Sequence, residues 1–144
     1  MTDDPYDLDR FVRAQEGVHD QALAELRHGR KRSHWMWFVF PQLAGLGRSA
    51  TAQRYGIDGV AEARAYLEHP VLGPRLVEAA AVAAAAPARS ADDLLGGIDA
   101  VKLRSSMTLF ARAAADPAPF RHVLDRWYAG AEDPVTARLL ASGD

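Results

Sequence analysis

Apolar residues recur at three- and four-residue intervals along most of the chain, which is the spacing of one face of an α-helix. The first stretch with this period predicts one helix from about Asp7 to His28, interrupted by Gly17 at a propensity cost of about 1 kcal/mol. Later stretches of the same kind end at proline or glycine, and no stretch alternates convincingly between apolar and polar residues. The pattern therefore predicts an all-α fold of about seven or eight short helices.

The most regular stripe in the sequence predicts a long helix with Asp99 as its N-cap. Its apolar residues follow one another at positions i, i+4, i+7 and i+11, namely Leu103, Met107, Phe110 and Ala114. A helix that begins at Asp99 places Lys102 in its first turn, where the helix dipole favours anions over cations. The position of Lys102 therefore needs a physical explanation.

The segment from Trp35 to Phe40 is apolar at every position and directly follows the cluster of cations and polar residues that begins with Arg30–Arg32. So short a run is compatible with a helix or with a buried strand. A helix is favoured because the chain has no second strand-like run to pair with it, and Ser33 is in place to cap that helix. An apolar run of this size must be buried in a folded protein. We therefore expect the other helices to surround it and to enclose Trp35.

Composition narrows the classes of function. At 144 residues the chain has the size of one domain, which is predicted to span 1–144. The 17 basic and 19 acidic residues give a formal charge of -2, which excludes the overall positive field that general nucleic-acid binders use. There is no cysteine, so disulfides, thiol nucleophiles and thiolate metal sites are excluded. The five histidines show no close ligand spacing, and no metal or cofactor is predicted.

The sequence also indicates where the protein acts. Its first residues are acidic and lack the basic-then-apolar pattern of a signal peptide. No apolar run reaches the roughly 20 residues that cross a bilayer. A cytoplasmic protein without a membrane partner is therefore predicted.

Four strings carry a resemblance to a known family. They are GRKRSHWMWFVFPQLAGLGRS at 29–49, the tyrosine and isoleucine of RYGI at 54–57, EARAYLEHPVLGPRL at 62–76 and KLRSSMTLF at 102–110. Together they make the chain similar to the bacterial family called domain of unknown function 1810, over about residues 7–140. The resemblance implies a compact cytoplasmic domain. It assigns no catalytic residue, because the family has none assigned.

The segment GGIDAVKLRSS, at 96–106, is the first candidate site. An anion bound at the start of the helix would explain Lys102, with Arg104 as a second cation and Ser105 and Ser106 as hydrogen-bond donors. The alternative is that Lys102 pairs with Asp99 three residues earlier, and that the serines only allow close packing. Lys102 and Ser106 also share a helical face, which is the spacing of a Ser–Lys nucleophile pair.

The aromatic segment supplies the other wall of the predicted pocket. Trp35 and Trp37 are candidate stacking surfaces, His34 is a candidate acid or base, and Gln42 is the polar residue expected to line the cavity. The predicted function is a pocket, between the segment Arg32 to Gln42 and the helix near Asp99, for a small anionic, nucleotide-like ligand. Whether such a pocket is catalytic stays open.

Two alternatives use different chemistry. In the first, the basic patch Arg30–Arg32 holds phosphates while Trp35, Trp37 and Phe38 stack bases, which is how single-stranded nucleic acid is bound, or the patch binds another protein. This interpretation requires the three cations to be exposed. In the second, the chain is an interaction protein without a ligand.

Overall fold

The structure is a computed structural model in which residues 4–143 are described. These residues form ten α-helices, with one isolated bridge between Leu43 and Ile57 and no longer strand among them. The all-α prediction is confirmed, with more helices than the seven or eight expected. They are α1 (Asp9–Gln15), α2 (His19–Arg27), α3 (Met36–Val39), α4 (Ala50–Tyr55), α5 (Val60–Glu68), α6 (Leu72–Ala84), α7 (Ala91–Leu95), α8 (Gly97–Ala113), α9 (Ala118–Tyr128) and α10 (Pro134–Gly143).

The predicted single helix from Asp7 to His28 is wrong, because Gly17 separates α1 from α2. Its backbone φ is +70°, a left-handed conformation that other residues rarely adopt. The helical hydrogen bonds therefore stop at Gln15 and resume at His19. The break divides the predicted helix into two short ones.

Helix α8 occupies the centre of the fold. Residues Leu103, Met107 and Phe110 of the predicted stripe are fully buried. The helix packs against α5, α7, α9 and α10, and α3 contacts it as well. Helix α8 is buried over most of its length, and its first turns, up to Lys102, include the exposed residues Gly97, Ile98 and Val101.

The start of α8 lies three residues earlier than predicted. Gly96 is its N-cap, with φ of +87°, and Asp99 is the third residue of the helix rather than the cap. Lys102 consequently lies in the second turn, where the helix dipole acts on it less strongly. The unfavourable interaction between Lys102 and the helix dipole is thus weaker than the sequence suggested.

A row of aromatic rings runs through the core and connects four helices. Ring centroids lie 5.2 Å apart for Phe11 and Tyr66, 5.3 Å for Tyr66 and Phe110, and 5.9 Å for Phe110 and Phe120. Trp35 is 1% exposed, so its predicted burial is confirmed. Within residues 4–143, no helix has the length and apolar character needed to cross a membrane.

Candidate functional site

The loop between α2 and α3 is folded around the buried carboxylate of Glu25. Its Oε1 accepts hydrogen bonds from the backbone N–H of Arg32 at 2.7 Å, from that of Ser33 at 3.0 Å and from Trp35 Nε1 at 2.9 Å. Its Oε2 accepts one from Ser33 Oγ at 2.6 Å and one from Gln21 Nε2 at 3.3 Å. The expected Ser33 cap on α3 is wrong, because this hydroxyl is directed to Glu25 instead.

These hydrogen bonds determine the charge of Glu25. Burial raises the pKa of its carboxyl, but the hydrogen bonds from Ser33, Arg32 and Trp35 outweigh burial and lower the pKa to about 2. Glu25 is therefore ionised at any ordinary pH. This fixed negative charge holds the backbone N–H groups of Arg32 and Ser33.

Lys31 enters the fold immediately before this loop. Its backbone N–H donates to the carbonyl oxygen of Leu94 at 2.7 Å, and its ammonium lies 2.8 Å from Asp99 Oδ2. Its side chain is only 8% exposed, and Nζ lies 5.3 Å from the ring centroid of Trp35. The prediction that all three cations of the basic patch are exposed is therefore wrong for Lys31, although it holds for Arg30 and Arg32.

Lys102 approaches the same carboxylate from the other side. Its Nζ lies 3.4 Å from Asp99 Oδ1 and 5.7 Å from the ring centroid of Trp37, and its side chain is 28% exposed. The pairing of Lys102 with Asp99 that the sequence offered as an alternative is thus present. Lys31 and Lys102 share one carboxylate, so their two positive charges are only half neutralised.

These groups line a cavity of about 300 Å³ between α3, the start of α4 and the first turns of α8. This volume is at the lower end of the range for small-molecule sites. Trp37 is half-buried in its wall, whereas His34 is exposed at its mouth. The lining residues are Lys31, His34, Trp35, Met36, Trp37, Phe38, Ser49, Thr51, Asp99 and Lys102.

Four predicted site residues lie outside this lining. Gln42 is 2% exposed, and Arg104 donates from Nε to the carbonyl oxygen of Ala131 at 3.0 Å. Ser105 Oγ donates to the carbonyl oxygen of Val101 at 3.1 Å, so it completes its own helix. Ser106 is fully buried, and its Oγ has no hydrogen-bond partner in residues 4–143. The hydrogen bond that a Ser–Lys nucleophile pair requires is therefore not formed.

Sequence reasoning missed the contributions of Lys31, Asp99, Ser49 and Thr51 to this cavity. Ser49 caps α4, accepting from the N–H of Ala52 at 3.0 Å, and its hydroxyl hydrogen remains available to a ligand. Among the described residues, no cluster of three or more histidine and carboxylate side chains could hold a metal ion. The polar and aromatic groups of the lining include two amines, one carboxylate, two hydroxyls, one imidazole and two indoles.

A larger groove of about 870 Å³ lies between α5, α6 and the end of α8. Its walls are mainly apolar, and Arg112 at its edge is neutralised by two hydrogen bonds to Glu132, at 2.8 and 2.9 Å. A ligand site needs a few convergent polar groups as well as volume. In the smaller cavity two ammonium groups converge on one carboxylate, and it is the candidate site.

The exposed cations offer a test of the nucleic-acid alternative. We expect the double variant Arg30→Gln and Arg32→Gln to change the free energy of unfolding by less than about 0.5 kcal/mol, because both side chains are exposed. Urea denaturation measures this. A larger loss would show that one of these guanidinium groups supports the loop.

The same double variant should leave binding of short single-stranded RNA or DNA unchanged in a low-salt fluorescence titration. Lys31, the middle residue of the basic patch, is already engaged by Asp99 and is hardly accessible to phosphates. Binding by the wild type that disappears in the double variant, with a steep salt dependence, would establish a nucleic-acid interface instead.

Comparison with known proteins agrees with this architecture. Residues 5–140 match the family described as "Protein of unknown function (DUF1810)". The crystal structure of the conserved hypothetical protein Rv1873 from Mycobacterium tuberculosis, at 1.38 Å, is similar, with 53% sequence identity and a TM-score of 0.93. The match covers 96% of this chain and 99% of that one. No curated protein sequence matches significantly.

Proposed function

The chain belongs to the family of proteins of unknown function DUF1810, and from this premise we propose that it binds a small anionic ligand in the cavity between α3 and α8. The observation that carries the proposal is the pair of ammonium groups that converge on Asp99 in a half-open cavity. The proposal concerns binding first. Catalysis would be an addition to it.

The charge of the cavity favours an anion. The chain as a whole carries -2, whereas the lining holds two lysines against one carboxylate. The electrostatic attraction between charges is stronger in a partly buried site than in water. A phosphate or carboxylate placed between Lys31 and Lys102 would supply the second negative charge that this site lacks.

The remaining lining residues favour an organic anion over an inorganic one. The indole of Trp37 offers a flat apolar surface beside Lys102, and Ser49 and Thr51 add hydroxyls to the lining. Nucleotides combine a flat base, hydroxyls and a phosphate, so they are the first ligand class to test. The small volume limits the buried part to roughly one base or one sugar phosphate.

Two lining residues could act chemically on such a ligand. Lys102 carries a partly exposed amine, and His34 carries an imidazole at the mouth of the cavity. Ser106 leaves this set because it is fully buried and does not hydrogen-bond to Lys102.

A thermal-shift panel of phosphate, sulfate, nucleotides and carboxylates tests the binding. A ligand at about 100 times its dissociation constant should stabilise the wild type by about 2.7 kcal/mol. For a domain of this size we expect the melting temperature to rise by roughly 5–10 °C. Lys102→Ala should remove most of that rise and remain folded without ligand, because its side chain is 28% exposed.

Arg138→Ala is the matched control, since it removes an exposed cation of α10 that does not line the cavity. Its response to the ligands should equal that of the wild type. Equal shifts in Lys102→Ala and the wild type would exclude Lys102 from the site. The absence of any shift across the panel would reject the proposal and favour an interaction protein.

A further inference from the structure

Both lysines of the chain are in this one cavity. Of the 17 lysine and arginine residues, only Lys31 and Lys102 are lysine, and all the others are arginine. The two are far apart in sequence, yet they contact opposite oxygens of the Asp99 carboxylate. Everywhere else in this protein arginine is used where lysine could be, so the cavity differs from the rest of the chain in using lysine.

Charge alone does not account for that departure. A guanidinium carries the same charge and holds a carboxylate or phosphate through two parallel hydrogen bonds, which a lysine cannot do. The property that lysine has and arginine lacks is an amine that can lose its proton and form a covalent bond. The typical bond of this kind in proteins is an imine with an aldehyde or ketone.

We infer that Lys102 forms a reversible imine with a small anion that carries an aldehyde or ketone, such as a 2-oxo acid or a short phosphorylated aldehyde. This inference rests on the proposed function, because the anionic group of that ligand occupies the same site. Beyond the proposed function, it specifies that the ligand carries a carbonyl group and that Nζ of Lys102 bonds to it.

The geometry assigns different tasks to the two lysines. Lys31 is 8% exposed and lies 2.8 Å from Asp99, so it is held in place and acts as a fixed charge for the anion. Lys102 is 28% exposed and its contact with Asp99 is longer, at 3.4 Å, so its amine is the one that a ligand reaches.

The surroundings are those in which lysine amines act as nucleophiles. Such amines lie in apolar pockets or beside a second cation. Lys102 has the second of these, since the ammonium of Lys31 shares its carboxylate.

Asp99 is placed to move the protons of the reaction. It takes a proton from Lys102, whose neutral Nζ attacks the carbonyl carbon, so that a C–N bond forms and the C=O π pair moves to oxygen. Proton transfer from nitrogen to that oxygen, through Asp99, gives a neutral carbinolamine. A further proton delivered by Asp99 allows the hydroxyl to leave as water, as the nitrogen lone pair forms the C=N bond. One ammonium group and one carbonyl thus become one protonated imine and one water, Asp99 is again a carboxylate, and nothing is oxidised or reduced.

Borohydride trapping tests the inference. The protein is incubated with pyruvate or with glyceraldehyde 3-phosphate, reduced with cyanoborohydride, and examined by intact-mass and peptide mass spectrometry. The primary amines of the chain are Lys31, Lys102 and the amino terminus, so the modified position is assigned directly. We expect the adduct on Lys102, and we expect inorganic phosphate to suppress it by competing for the anion site.

Lys102→Arg separates the imine from anion binding, because it keeps the charge and removes the reactive amine. This variant should lose the trapped adduct, and the thermal shift of the wild type with phosphate reports separately on anion binding. A wild-type protein that shows the phosphate shift but no adduct would overturn the imine and leave the proposed function intact. An adduct spread equally over the amines, or insensitive to phosphate, would also overturn it. Neither shift nor adduct would reject both.

Discussion

Replacement of Trp35 by alanine is expected to lower the free energy of unfolding by about 3–5 kcal/mol, the range for deletion of a large buried aromatic side chain. Trp35 is 1% exposed and packs against Phe40 with a centroid distance of 6.2 Å. Its Nε1 also donates to Glu25, so the substitution leaves one of the hydrogen bonds of that carboxylate unmade. Urea denaturation of the purified variant measures the loss.

Trp37→Ala is the natural comparison, because Trp37 is half-buried and lines the candidate cavity. Its cost should be clearly smaller than that of Trp35→Ala, while its effect on ligand-induced stabilisation should be larger. An unchanged unfolding midpoint in Trp35→Ala would mean that Trp35 is not part of the core.

Residue periodicity was sufficient for the fold class and for most helices, because one apolar face per helix is a local property of the sequence. It failed at Gly17. A glycine inside an amphipathic pattern costs only about 1 kcal/mol in a helix, so the pattern predicts that the helix continues. Across the positive φ of Gly17 the chain passes from α1, which packs against α3, to α2, which packs against α6, and no local spacing records these contacts.

The candidate cavity could be predicted in part. The pairing of Asp99 with Lys102 follows from their spacing of three along a helix, and the apolar run around Trp35 had to be buried. The contribution of Lys31 could not be predicted, because it depends on how the loop after α2 meets α7 and α8. The sequence nevertheless held a signal, because lysine is rare in this arginine-rich chain. Both lysines lie in the segments 29–49 and 96–106, from which the pocket was predicted.

Glu25 was missed for a different reason. A glutamate on an amphipathic helix is usually exposed, so a single glutamate in such a pattern does not predict a buried site. Its neighbours Ala22, Leu23 and Leu26 are all buried, which places Glu25 at the edge of the apolar face. An acidic residue on that face, followed closely by a polar loop, was the signal that could have found the network.

The hydrogen bonds of Glu25 lead to a prediction about how the free energy of unfolding depends on pH. The pKa of Glu25 is lowered from 4.5 to about 2 in the folded protein, despite burial, by the hydrogen bonds that Ser33, Arg32 and Trp35 donate. A carboxyl with a depressed folded-state pKa contributes stability above its unfolded-state pKa and loses it as the pH falls toward the folded-state value. The contribution, about 3 kcal/mol, should therefore be complete above roughly pH 5 and decline between about pH 4.5 and pH 2.

Glu25→Gln tests this directly, because it keeps the shape of the side chain and removes its charge. At neutral pH the variant should be less stable than the wild type by on the order of 3 kcal/mol, and at about pH 3 the difference should fall below half of that. Glu16→Gln, at an exposed position, should show neither effect. Urea denaturation from pH 7 down to pH 3 measures all three proteins. A difference that stays constant across this range would mean that Glu25 stabilises the loop only through its shape and its neutral hydrogen bonds, and that the carboxylate charge contributes nothing.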